Sequence, residues 1–360
     1  MNVHIPLALF FIVLAYILRF DKTKTDRCFI LFMLLSMILA AIRFEYGPDY
    51  FQYLTMYDRL DERGVAYYIE HNEHIEPLFL YFLHSFSSYW FFIAVQSVLW
   101  FGTVLLFLRN RYDTRYLWLV VFLLFFDVNN VIENYTAIRS SFVGILFLIA
   151  LPYLSKNRFI YVLLMTLAFF IHHSSAPLLL LVFIGGKSKR GKSLLVPLTL
   201  VIAVVAFFMG DYIGGPFTNL LMERFPGYFA KYSYYMEEMF TQRSVSLGNL
   251  IFLCMNVFII MMLISGLRKE SDREYIIYYK IAIILSLMSV LFGNMLMSRI
   301  NMNVAPLLIV LYTRTLRYIR PDYRLIFLTC VILITLFNFY NVINSDYAES
   351  FQVYKTILSQ

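Results

Sequence analysis

Charge is what this sequence lacks most. Only 15% of its 360 residues are Asp, Glu, Lys or Arg, against about 25% in soluble domains. Its apolar share is 61%, and 36 Phe with 28 Tyr are more apolar surface than one soluble core can hide. A soluble globular protein and a disordered chain are both excluded. Cysteine is scarce: Cys28, Cys254 and Cys330 all fall inside apolar runs, without metal-ligand spacing, so they read as packing residues. No nucleotide-binding loop, soluble catalytic module or internal repeat is present. The absence of a repeat argues against inverted-repeat transporters.

What is present is a succession of apolar runs, many of them near the 17–25 residues that cross a bilayer. We mark twelve: 3–20, 28–44, 89–108, 116–132, 135–153, 159–172, 174–185, 194–210, 248–267, 275–296, 299–313 and 325–343. The expected fold is an all-α polytopic membrane protein of about twelve transmembrane helices, forming a single integral membrane domain over 1–360. A β-barrel is disfavoured because barrel strands alternate and are less apolar. The first run has no basic stretch before it and no A-x-A site after it. It is followed by Arg19, Lys22, Lys24 and Arg27, as expected of a retained first helix with its N-terminus outside.

Net charge is +7, and the first question is which side the cations occupy. Cytoplasmic loops are the basic ones. Arg109, Arg111, Arg115; Lys156, Arg158; Lys187, Lys189, Arg190, Lys192; Arg268, Lys269, Arg273; and Arg314, Arg317, Arg320, Arg324 join the first group on one side. Twenty of thirty cations then share that side with seven acids, Lys280 lies just inside a helix near the same side, and nine face sixteen acids on the other. The rule splits 159–185 at His172-His173, 116–153 near Asn134 and 275–313 near Ser298. It leaves two long outer loops: 45–88, with a short amphipathic or re-entrant helix over 77–88, and 211–247. Loops of that length more often carry function than act as spacers. The charge excess therefore orients helices, and no nucleic-acid partner is expected.

Three arginines break the pattern by sitting at the outer ends of apolar runs: Arg43, Arg139 and Arg299. An intramembrane arginine is a functional hypothesis by default; the bland alternative is snorkelling to headgroups, or pairing with an acid such as Glu133. Three at one depth favour function, because converging guanidiniums suit phosphate oxygens. His172 and His173 sit at the same level, suited to phosphate hydrogen bonding or proton transfer. Only one of the pair can easily face a given cavity, and their adjacency is a poor zinc spacing. Asp49, behind the Gly47-Pro48 turn, is either the structural partner of Arg43 or a base or sugar ligand. Glu73 and Glu76, before Pro77, are alternative bases. Tyr46, Tyr50, Tyr53, Tyr57, Tyr67 and Tyr68 read as an aromatic-rich outer surface, either an interfacial belt or a carbohydrate-stacking platform.

With these residues assembled, the sequence resembles the EpsG/Wzy-type polysaccharide polymerases. The marks run in order over about residues 1–320. They are Ile42-Arg43-Phe-Glu-Tyr46-Gly47-Pro-Asp49-Tyr50 followed by Tyr53, then Glu76-Pro77, Ile138-Arg139-Ser140-Ser141, Ile171-His172-His173-Ser174-Ser175-Ala176, and Ser298-Arg299. Pro48 stands where Thr or Ser is expected before Asp49, and Ser140 where Gln is common after the arginine. The resemblance implies a glycosyltransferase of GT-C type in the bacterial plasma membrane, acting on its outer leaflet. Donor and acceptor would be undecaprenyl-diphosphate-linked glycans, with a separate chain-length regulator and a flippase as partners. It implies Arg43, Arg139 and Arg299 as diphosphate-binding residues, and Asp49, Glu76, His172 and His173 as catalytic candidates. Tyr46, Gly47, Tyr50, Tyr53, Asn134 and Asn301 would contact substrate. No cofactor and no metal are expected, since arginines supply the positive charge. Alternatives are an O-antigen ligase or another polyprenyl-linked sugar transferase and, from a different class, a lipid-linked oligosaccharide flippase.

Overall fold

A computed structural model describes residues 3–47, 49–71, 76–130, 135, 137–185, 247–344 and 354–357, with the backbone alone at His71, Ser174, Gly185, Leu247, Asn249 and 290–299. The described chain is helical apart from one two-stranded pairing. The helices are α1 (His4–Leu18), α2 (Lys22–Ala41), α3 (Tyr50–His71), α4 (Pro77–His84), α5 (Tyr89–Leu108), α6 (Leu117–Phe126), α7 (Ile138–Ala150), α8 (Tyr153–Lys156), α9 (Arg158–Ile171), α10 (Ala176–Leu179), α11 (Leu247–Lys269), α12 (Arg273–Tyr318) and α13 (Pro321–Ile343).

Local chemistry sets many of the boundaries. Asp21 accepts the Lys24 N–H, Ser88 the Phe91 N–H, and Asn157 those of Phe159 and Ile160; each satisfies donors that a first turn leaves orphaned. Pro77 opens α4, where its missing N–H costs nothing. α9 stops because His172 is extended (φ −158°, ψ 116°). Among the described residues three helices are long and apolar enough to cross a membrane: Tyr89–Leu108, Leu250–Lys269 and Pro321–Ile343. Shorter apolar helices cover His4–Leu18, Thr114–Phe126, Ile138–Ala150 and Arg158–Ile171. Leu9, Phe10, Val13 and Ile17 of α1, Phe159, Leu163 and Phe170 of α9, and Leu325, Leu333 and Phe337 of α13 are exposed. Faces of that kind need lipid against them. This is an integral membrane protein built of helices.

The chain forms two compact units. The first comprises Met1–Gly185, Ile300–Arg317 and Thr335–Gln360. In it α2 packs on α5, α1 on α6, α5 on α7, and α7 on α9. A buried polar joint braces one edge. Asp113 caps the turn Thr114–Tyr116 and binds Arg115 (3.0 Å) and Arg317 (2.8 Å). Burial alone would raise the Asp113 pKa, but hydrogen bonds from Arg115 and the Arg317 charge outweigh it and lower it. Close packing is tightest at Gly144 of α7. A Cβ there would lie 2.7 Å from Trp100 Cζ3 and 3.1 Å from Asn303 Oδ1. We expect Gly144→Ala to cost about 1–3 kcal/mol through overpacking, read as a lower unfolding midpoint in detergent; an unchanged midpoint would show that Trp100 yields freely.

The second unit comprises Gly186–Arg299 and Tyr318–Ile334. Here Glu270 caps the turn between α11 and α12 through the Ser271 and Asp272 N–H groups, and accepts the Tyr318 hydroxyl (3.1 Å). Tyr279 packs against Gly266.

Three expectations change. The break near Ser298 is not formed, because Arg273–Tyr318 is one helix of 46 residues. Met297-Ser298-Arg299 contains neither Gly nor Pro, and a helix satisfies its own backbone hydrogen bonds whatever polar side chains it carries. Charge placement alone therefore overcounted the segments here. The stretch 45–88 is not mainly loop: besides the expected short helix, Pro77–His84, it holds the 22-residue α3, kinked at Gly64 (φ 78°, ψ 158°). Its face of Tyr53, Met56 and Leu60 is buried, a helical spacing masked by the acids on the other face. Cysteine follows the packing reading only in part: Cys28 is buried, Cys330 intermediate and Cys254 exposed, all free. Segment 194–210 and the loop 211–247 lie outside the described residues.

Candidate active site

Glu76 is the centre of the site. It precedes Pro77, whose ring disfavours helical geometry in the residue before it, and it is extended (ψ 127°) and 5% exposed. Its two oxygens divide their partners. Oε2 takes the Arg139 guanidinium at 2.9 Å. Oε1 takes the backbone N–H of His173 at 2.9 Å and His172 Nδ1 at 3.2 Å. The extended His172 produces this pairing by aiming its own ring and the following N–H at one oxygen. His173 Nδ1 lies 3.3 Å from the same oxygen, while its ring packs on Phe169 and stays half exposed. Arg139, one residue into α7, also donates from Nε to the Tyr53 hydroxyl (3.2 Å).

Burial alone would raise the Glu76 pKa, but the hydrogen bonds from His172 and the His173 N–H, with the Arg139 charge, outweigh it. The carboxyl is held down at about 2. Glu76 is therefore an acceptor-only carboxylate at neutral pH and far too weak a base to take a proton from a hydroxyl. Because it only accepts, His172 Nδ1 must donate. In the neutral ring, Nε2 is then the nitrogen that accepts a proton, the orienting logic of carboxylate–imidazole pairs.

Arg43 occupies different surroundings. It is 1% exposed, in a two-residue strand β1 (Arg43–Phe44) just past α2. Nη1 donates to the Ala40 carbonyl (3.1 Å) and Ser97 Oγ (3.0 Å), Nη2 to Gln96 Oε1 (3.2 Å), and the guanidinium faces the Tyr135 ring at 5.0 Å. The following turn has Glu45 at φ 48° and Gly47 at φ 100°, so Gly47 stands where a side chain would strain the backbone. The chain's last described residues return to this point. Strand β2 (Lys355–Thr356) pairs antiparallel with β1, with Phe44 opposite Lys355. Lys355 binds Glu45 at 2.5 Å, and the Tyr354 hydroxyl donates to the Leu39 carbonyl. Tyr354, Tyr46, Tyr135 and His4 form one aromatic cluster, with His4 Nε2 3.1 Å from the Tyr135 hydroxyl.

Glu76, Arg139, His172, His173 and Tyr53 are thus brought together. Among the described residues Arg43 is held by neutral groups and not by Asp49; the Asp49 carbonyl accepts the Tyr53 N–H in the first turn of α3. Arg139 pairs with Glu76; Glu133, its expected partner, lies outside the described residues. Tyr46, Tyr50, Tyr53 and Tyr68 are buried, 2–8% exposed, so they are packing of the fold and no open stacking surface; Tyr67 is exposed. Arg299 and Asn301 lie on α12, and the Arg299 side chain, like Glu73 and Asn134, is outside the described residues. Sequence reading missed Gln96 and Ser97. Two adjacent polar residues inside the apolar span α5 were the available signal.

A buried carboxylate with an imidazole and an arginine on it, and a second buried arginine held by neutral groups, are set into a helical integral membrane protein. Residues 26–356 match the EpsG family. The chain belongs to that family, the Wzy-type polysaccharide polymerases, and membership points to polysaccharide polymerase-type function. No curated protein and no solved structure matches the chain.

Proposed function

We propose that the chain is a glycosyltransferase that joins undecaprenyl-diphosphate-linked repeat units at the outer leaflet of the bacterial plasma membrane. Its architecture would be a GT-C-like bundle of apolar helices, with the expected segments 275–296 and 299–313 merged into one. The observation that carries the reading is the Glu76–His172 pair anchored by Arg139, in a chain of this family. His172 takes the proton of an acceptor hydroxyl at Nε2. The hydroxyl oxygen attacks the anomeric carbon of the donor glycan, and the bond from that carbon to the lipid diphosphate breaks. Negative charge grows on the leaving diphosphate, where Arg43, with Arg299 as a further candidate, stabilises it. A flippase that delivers donor and acceptor and a chain-length regulator are the implied partners.

The test is to delete the protein and run the surface glycan on a gel. A polymerase loss leaves a single attached repeat unit. No attached polymer would point to a ligase, undisplayed lipid-linked unit to a flippase, and a normal ladder would sink the reading.

A further inference from the structure

We propose that Gln96 and Ser97 are positioning residues that hold Arg43 by neutral contacts, leaving its charge for a phosphate oxygen of the lipid diphosphate. The inference rests on the polymerase reading above and assigns the two arginines different tasks.

Both residues lie in the middle of α5, each 1% exposed, where a polar group is costly unless bonded. Ser97 Oγ accepts from Arg43 and donates to the Ile93 carbonyl (2.8 Å). Gln96 uses both ends of its amide: Oε1 accepts from Arg43, and Nε2 donates to Ser141 Oγ (2.8 Å). Ser141 in turn donates to the Ile138 carbonyl (2.7 Å), in the first turn of the helix that carries Arg139. Gln96 therefore ties the end of α2 to the start of α7.

A buried guanidinium is normally matched by a carboxylate. Arg43 has none among the described residues, and its Nε has no hydrogen-bond partner there. Glu76, which neutralises Arg139, has its oxygens taken by Arg139, His172 and His173. A tight void lined by Arg43, Gln96, Ser97, Trp100, Phe101 and Tyr135 lies beside the guanidinium; it is too narrow for a water molecule, so a phosphate oxygen reaches Arg43 only when these side chains shift. Among the described residues one positive charge thus stays uncompensated in an apolar interior, held in a fixed orientation, with two of its five N–H groups, that of Nε and one of Nη2, making no hydrogen bond. An anion with forked oxygens is the group that completes it. Arg139, by contrast, serves the Glu76–His172 pair.

A carboxylate at position 96 separates this role from a structural one. Gln96→Glu keeps the shape and the acceptor for Arg43, gives up the donor to Ser141, and offsets that loss by supplying the missing counter-charge. Gln96→Met removes both hydrogen bonds and adds no charge. The full-length protein in nanodiscs is assayed for thermal midpoint, for binding of undecaprenyl diphosphate and for chain extension. We expect Gln96→Glu to keep the wild-type midpoint while weakening undecaprenyl diphosphate binding at least tenfold and raising the donor KM. Gln96→Met should lower the midpoint and affect binding less. If Gln96→Glu fails to reach the membrane, Ser97→Asp presents a carboxylate to the other Arg43 nitrogen and must produce the same selective loss. Wild-type affinity in the carboxylate variant overturns the inference and leaves the polymerase reading standing. A wild-type protein that neither binds undecaprenyl diphosphate nor extends chains overturns both.

Discussion

Glu76→Gln should cripple chain extension, lowering kcat by about 10³-fold, the middle of the range for losing a positioned acid–base group. Glu76 meets three donors: the Arg139 guanidinium, His172 Nδ1 and the His173 N–H. A glutamine offers one accepting oxygen and turns an NH2 toward a donor, so a buried group goes unpaired. His172 loses the acceptor that fixes its ring and tautomer, and Arg139 becomes a buried, uncompensated charge. Breaking such a pair costs about 3–5 kcal/mol of stability when fully buried. Arg139 is 17% exposed, which places the loss toward the lower figure. The pH dependence has a definite sign. The folded pKa, about 2, lies below the ordinary 4.5, so the stabilisation is fully present above about pH 4.5 and is lost as pH falls toward 2. The gap in thermal midpoint between wild type and Glu76→Gln should be constant from pH 8 to pH 5 and narrow only below that. A gap that shrinks between pH 7 and 5 would mean that Glu76 is not the held-down carboxylate described here. Full activity in a folded Glu76→Gln protein would remove it from the mechanism.

Arg43→Ala should be comparably severe but through a different step. Losing one preorganised donor to a developing anion costs roughly 3–4 kcal/mol, about 10²–10³-fold in rate, and donor binding should weaken with it. Arg43→Lys should not rescue. A lysine has no planar fork to meet the Ala40 carbonyl, Ser97 and Gln96 together. Arg139→Ala should instead copy Glu76→Gln: kcat falls steeply while donor affinity stays within about twofold. Binding assays on purified variants decide this. If Arg43 and Arg139 weaken donor binding equally, the division between them is wrong.

The polar signals in the sequence located the site without its pairings. Glu76-Pro77, Arg139 and the His172-His173 break all stood out against apolar runs, because polar residues at the ends of such runs are expensive and hence informative. Which histidine faces inward was not legible. It depends on the extended backbone at His172, which brings its ring and the next N–H onto one oxygen. Asp49 was a natural partner for Arg43 by proximity in sequence. Contacts separated by 53 and 54 residues, to Gln96 and Ser97, won instead. The tyrosines of 46–68 looked like a surface because acids surround them, yet the buried stripe of α3 draws several of them inward.

Composition and run length alone determined that this is a helical membrane protein, because so much apolar surface has no other solvent and a lipid-embedded backbone must bond to itself. Caps such as Asp21, Ser88 and Asn157 came from the structure, though each acts within four residues and is local in origin. Only the tertiary structure decided that, among the described residues, Arg139 is neutralised by Glu76 while Arg43 meets neutral groups, and that Lys355–Thr356 pairs with the strand carrying Arg43. Charge compensation is set by distances of about 3 Å between residues far apart in sequence, and only the folded chain fixes those distances.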